Sequence, residues 1–223
     1  MMRLSVLALL LCITNVANTF AQEMSVEEKA KYEKAITERA AKIVIGLGIT
    51  DQRKSDKVRD IIKEQYSNLK DSHSARDLKV KQIKDQLQDT KAERDSALAK
   101  ENRNTETALN KLHQKYIAKL AHHLSLEQVD QVKNGMTYNV LPITYKAYQE
   151  EILTLTEEQK KQILVWLTEA REHAMDAESS DKKHAWFGKY KGRINNYLSA
   201  AGYDLKKEGI AWEKRRKAKE QAN

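Results

Sequence analysis

The chain has 223 residues, with 40 Lys and Arg against 32 Asp and Glu and a single cysteine, Cys12. A lone cysteine excludes an internal disulfide and any multi-cysteine metal site, and the basic excess favours acidic partners. One proline and seven glycines leave few helix breakers, and no stretch alternates apolar with polar residues, so the predicted fold class is all-α.

Residues 1–21 read as a secretory signal peptide. Arg3 supplies the positive region, Leu4 to Ile13 the apolar region, and Thr19-Phe20-Ala21 the small-x-small cleavage site. The apolar run is shorter than the about 20 residues of a membrane helix, and Leu10 and Leu11 are too bulky for lipidation at Cys12. Cleavage before Gln22 is expected, giving an exported protein, periplasmic or at the cell surface, with no transmembrane segment and no thiol. Loss of Arg3 leaves 39 basic against 32 acidic residues, a net charge of +7. Uronate polymers or anionic headgroups suit that charge, whereas the compartment disfavours nucleic acid.

Residues 22–206 are expected to form one helical-bundle domain. Ser25 and Glu28 form a capping box at the first helix, whose apolar face is Ile36, Ala40, Ile43, Val44 and Leu47, ending at Gly46 to Gly48. Thr50 is expected to open the second helix, with Val58, Ile61, Ile62, Tyr66 and Leu69 as its stripe. About residues 70–104 the chain becomes strongly charged, with Val80, Ile83 and Leu87 keeping a thin apolar seam. This predicts a long helical arm that turns back near Asn102–Asn104 into a helix bearing Leu109, Leu112, Tyr116, Ile117 and Leu120. Ser125 with Gln128 and Thr156 with Gln159 announce two further helix starts. Between them, Gly135 and Pro142 suggest an ordered loop carrying Tyr138, Tyr145 and Tyr148.

Ser179 or Ser180 is expected to cap a helix running to about Ala200. Trp186, Tyr190, Ile194 and Tyr197 recur on one face of it, which is the pattern of a core face. Ala185, Gly188, Gly192 and Ser199 form a second stripe of small residues, expected to accommodate a closely packed helix. The same stretch also holds Arg193, Asn195 and Asn196. Flat rings beside amides and a guanidinium suit a sugar: rings stack on a pyranose while polar groups bond its hydroxyls. The candidate binding residues are therefore Tyr138, Trp186, Tyr190, Arg193, Asn196 and Tyr197, with a cleft between the Tyr138–Tyr148 loop and the Trp186–Tyr197 helix.

His173 and Asp176, three residues apart, are weak candidates for a metal pair, His122-His123 has the same weak standing, and no metal or other cofactor is expected. Glu172, His173 and Asp176 are the residues an undescribed glycan-active enzyme would use, but no nucleophile motif, phosphate loop or dinucleotide fingerprint is present. Residues 207–223 are a basic tail with Ile210 and Trp212, expected to be a solubilising helix end.

Four segments carry a family resemblance: "GLGITDQRKSDKVRDIIKEQY", "LEQVDQVKNGMTYNVLPITYKAY", "LTEEQKKQILVWLTEAREHAMD" and "SSDKKHAWFGKYKGRINNYLSAAGYDLK". Together they resemble the domain of unknown function 3826 family, over about residues 25–207. The resemblance implies an exported helical protein of polysaccharide-degrading Gram-negative bacteria, with a non-catalytic, sugar-binding accessory role. It supplies no catalytic residues. Leu155 to Gln159, "LTEEQ", is also similar to the short motif of the periplasmic stress chaperones related to spheroplast protein Y, the alternative reading.

Overall fold

A computed structural model of the chain describes residues 24–221. The expected signal peptide, residues 1–21, lies outside the described residues. The fold is all-α, and among the described residues eight helices follow one another: α1 (Val26–Ile45), α2 (Gln52–Gln86), α3 (Lys91–Ala121), α4 (Leu126–Met136), α5 (Val140–Glu151), α6 (Glu157–Met175), α7 (Ser180–Ala200) and α8 (Leu205–Gln221). No described helix is long and apolar enough to cross a membrane.

The three capping boxes form as the sequence predicts, at Ser25–Glu28, Ser125–Gln128 and Thr156–Gln159. In each, the hydroxyl accepts from one free backbone N–H while the Glu or Gln side chain accepts from another. Helix α2 is capped by Asp51 rather than Thr50: the Asp51 carboxylate accepts from Lys54 N at 3.0 Å, a bond its geometry favours at a helix start.

Helices α2 and α3 form the charged hairpin, but its turn lies at Leu87–Thr90, not at Asn102–Asn104. Asn102, Arg103 and Asn104 are ordinary helical positions of α3. Val80, Ile83 and Leu87 are half-buried along the seam, and between His73 and Tyr116 the only fully buried residue is Glu101. At about 1.5 Å per residue, α2 reaches far beyond the body on this thin contact.

Two apolar cores lie inside. The first joins α1–α4 around Ala40, Val58, Ile62, Leu120, Val132 and Met136. The second joins α5–α7 around Ile152, Ile163, Leu167, Phe187, Ile194 and Leu198. Helix α6 serves both, because Met175 at its end belongs to the first core. Gly135 brings α4 close to α1: a Cβ there would sit 2.8 Å from Ile43 Cγ1.

The expected loop of Tyr138–Tyr148 is mostly helix α5. Pro142 lies in its first turn, where a backbone N–H has no partner inside the helix, so the ring starts the helix instead of breaking it. Residues 207–221 of the basic tail fall within α8. Arg215 there donates to the carbonyls of Glu150 and Glu151 at 2.8 and 2.9 Å, closing the end of α5.

Candidate functional site

The aromatic stretch of α7 is spent largely on packing. Phe187, Ile194 and Leu198 face the second core, and Tyr190 is buried beside them at 8 % exposure, so its ring is not open for stacking. Trp186 stacks on His173 with centroids 4.3 Å apart, and the Lys189 ammonium lies over its ring. Tyr197 meets Trp166 edge-on at 5.2 Å, and the Arg193 guanidinium covers Trp166 at 4.5 Å while facing Glu169. Asn196 is exposed. Its neighbour Asn195 instead accepts from the Tyr148 hydroxyl at 2.7 Å, which seals α5 onto α7 where a cleft was expected. The six predicted residues thus do not share one cavity.

Tyr138 stands apart from the other five. It lines a cleft of about 1000 Å³ bounded by α1, α2, α4 and the connection from α6 to α7. The backbone there is strained. The end of α4 closes with Asn139 N–H donating to Asn134 O at 2.8 Å and Tyr138 N–H to Gly135 O at 3.4 Å. This paired arrangement puts its first residue past the cap in the left-handed region, normally a glycine. Here Tyr138 has φ 58° and Asn139 φ 56°. Asparagine tolerates that conformation, but a tyrosine there costs on the order of 1–3 kcal/mol. The His184 ring stacks on Tyr138 at 5.4 Å and holds it at the cleft edge.

Tyr32 and Tyr66 supply two more rings to the same cleft. The Tyr32 hydroxyl donates to the Tyr66 carbonyl at 2.9 Å, and burial pushes the Tyr66 phenol up to about 12, so it stays a neutral donor at ordinary pH. Arg39 and Lys42 from α1 and Lys70 from α2 line the opening, and Gln131 and Asn134 from α4 add amides. Lys183 is buried in the wall. Its ammonium donates to the carbonyls of Ala174 and Met175 at 3.1 and 3.0 Å, satisfying the end of α6. Burial lowers its pKa to about 8.

Beside this cleft runs a half-buried ionic seam that the sequence did not reveal. His113 of α3 donates from Nδ1 to Asp176 Oδ2 at 2.9 Å and from Nε2 to Glu172 Oε2 at 3.2 Å. Two carboxylate partners require both ring nitrogens to carry protons, and these hydrogen bonds raise His113 to about 9. Glu172 also accepts from Lys133 at 2.9 Å and from Arg171, and despite burial its hydrogen bonds to His113 and Lys133 hold it near 2. Arg171 is itself buried and reaches Asp130 and Asn134 on α4. An imidazolium with both nitrogens engaged has no lone pair to act as a base, so the seam ties α3, α4 and α6 together.

His173 and Asp176 are not a pair in space: the first stacks on Trp186, the second holds His113. Among the described residues, no group of three or more His, Cys, Asp or Glu side chains is placed to hold a metal ion. His73 donates from Nε2 to the Asp176 carbonyl at 2.7 Å and separates the large cleft from a smaller cavity of about 420 Å³ that contains Trp186. No local pattern could have flagged His113, a single histidine in a polar run whose partners lie about 60 residues away.

The fold and cleft define an all-helical protein with one tyrosine-lined, cation-rimmed opening between helix ends. The family model described as Protein of unknown function (DUF3826) matches residues 32–218, and the chain belongs to that family. No curated protein matches the chain.

Proposed function

We propose that this is an exported, non-catalytic binding protein that takes carbohydrate into the cleft of Tyr32, Tyr66 and Tyr138. The observation that carries this reading is the strained Tyr138 backbone, which places its ring at the mouth of a cleft of about 1000 Å³ where a glycine would fold more easily. A side chain retained against such a cost is explained by a job at the surface it lines. The cleft's volume suits one or a few sugar units, and its phenols, amides and cations are the donors and acceptors that sugar hydroxyls use. Export rests on the leader-like residues 1–21. Accessory work beside glycan-degrading enzymes fits that compartment.

The test is calorimetric titration of the full mature chain against neutral and acidic plant oligosaccharides. Saturable binding that disappears in a folded Tyr138→Ala variant, and persists in Trp186→Ala, is the expected result. Binding lost in Trp186→Ala but kept in Tyr138→Ala would move the site to the smaller cavity. Silence across the panel would overturn the reading.

A further inference from the structure

Resting on that cleft as the binding site, we infer that its ligand is an acidic saccharide whose anionic group is received by Arg39, Lys42 and Lys70. The argument is one of charge placement. Arg39 and Lys42 lie three residues apart on α1 and so share a face, and Lys70 lines the same cleft from α2. None of the three has a carboxylate within ion-pair distance among the described residues. Some basic neighbours on the same helices are paired and others, such as Lys29, Lys34 and Lys57, are not, so what distinguishes these three is that they line one cleft. Lys63 faces Glu33 at 3.5 Å, and Lys31 meets Glu27 at 2.7 Å. Lys70 instead lies over the Tyr32 ring, 5.3 Å from its centroid.

The cleft contains two carboxylates, Asp77 and Glu178, and neither is within ion-pair distance of these cations. Both are engaged by Arg76, which does not line the large cleft; its guanidinium reaches Glu178 at 2.7 Å and also pairs with Asp77. Arg76 thereby offsets one of the two negative charges from outside, so one remains against three unpaired rim cations and the cleft keeps a positive excess. Lys183 adds a fourth positive group in the wall. A neutral sugar would leave this excess uncompensated, whereas a carboxylate or sulfate ester would meet it with charge-assisted hydrogen bonds, about twice as strong as neutral ones.

The experiment compares three probes on the full mature chain: a galacturonate trisaccharide, its neutral galactose counterpart, and a sulfated galactose counterpart. The expected result is that at least one acidic probe binds roughly tenfold or more tighter than the neutral one, the scale of one charged hydrogen bond. The two acidic arms identify whether the group is a carboxylate or a sulfate ester. The preference should shrink with added salt and vanish in an Arg39→Gln, Lys42→Gln double variant, which alters only exposed side chains. Equal binding of neutral and acidic probes would overturn this inference and leave the cleft reading standing. A preference that survives in the double variant would overturn it too. Failure of all three probes would overturn both.

Discussion

The two halves of the molecule use aromatic residues for opposite ends. In the α5–α7 half, Phe187, Tyr190, Trp166, Tyr197 and Tyr148 crowd one another and close the space between helices. In the α1–α4 half, aromatic residues are sparser, yet Tyr32, Tyr66 and Tyr138 line open space. Aromatic density along a chain therefore marks where helices must be glued. A recognition surface is better marked by rings held at a backbone cost and by cations without partners. The variants below probe the contrast between a packed half and an open one.

The largest effect should come from the seam that joins the halves. His113→Ala leaves Glu172 and Asp176 partly buried without their shared cation, and removing one partner of such a network costs about 3 kcal/mol. Chemical denaturation of both proteins checks this. The pH dependence has a definite sign. The histidine is raised from 6.5 to about 9 on folding, so its contribution is complete below pH 6.5 and fades between 6.5 and 9. Glu172 falls from 4.5 to about 2, so its contribution holds above pH 4.5 and is lost on acidification toward 2. The two shifts describe largely one interaction and are not to be added. The wild-type advantage over His113→Ala should accordingly narrow as the pH rises from 6.5 to 9 and be smallest above pH 9. An unchanged gap there would mean that His113 acts by packing alone.

Next in size is Gly135→Ala. The new methyl would meet Ile43 Cγ1 at 2.8 Å and Cγ2 at 3.2 Å, atoms near the side-chain root that cannot swing clear. Overpacking of that kind costs about 1–3 kcal/mol, and it would push α4 off α1 at the cleft wall. A melting temperature equal to wild type would show that the two helices have slack.

Tyr138→Gly should act in the other direction. Glycine adopts φ 58° freely, so relief of strain is set against the lost His184 stack and a more flexible unfolded chain. A net gain of about 1 kcal/mol is expected, together with loss of ligand binding. Gained stability with lost binding is the pattern of a residue kept for function, and destabilisation would return Tyr138 to a packing role.

Local chemistry made much of this fold readable in advance. Hydroxyl–carboxamide pairs three apart gave helix starts at Ser125 and Thr156, and Ser179, one of the two serines the sequence offered, caps α7. The misplaced turn in the hairpin has a plain cause: Leu87–Thr90 contains neither glycine nor proline, while Asn102 and Asn104 resemble breakers yet sit comfortably in a helix. Pro142 misled in the opposite way, since its effect depends on its distance from the helix start. In the cleft, Tyr138 was singled out, but for partners on α7 that it meets only through His184. Arg39, Lys42 and Lys70 were invisible because a lysine's lack of a partner is a property of three dimensions. His113 was hidden for the same reason.

The smallest expected effects test the stripe of small residues on α7. Close packing against Gly188 and Gly192 was the expectation, but a Cβ at either position would have nothing within 4 Å. The close approach occurs at Gly135 instead. With no neighbour to accommodate, each α7 glycine merely loosens its helix, by roughly 1 kcal/mol relative to alanine. Gly188→Ala and Gly192→Ala should each raise stability by up to about that amount. Binding to the cleft should not change, because neither glycine lines it. If either variant gains nothing in isolation but weakens association with a partner from the same compartment, that exposed face is used by a second molecule. In that case the packed half, and not only the open one, carries a recognition surface.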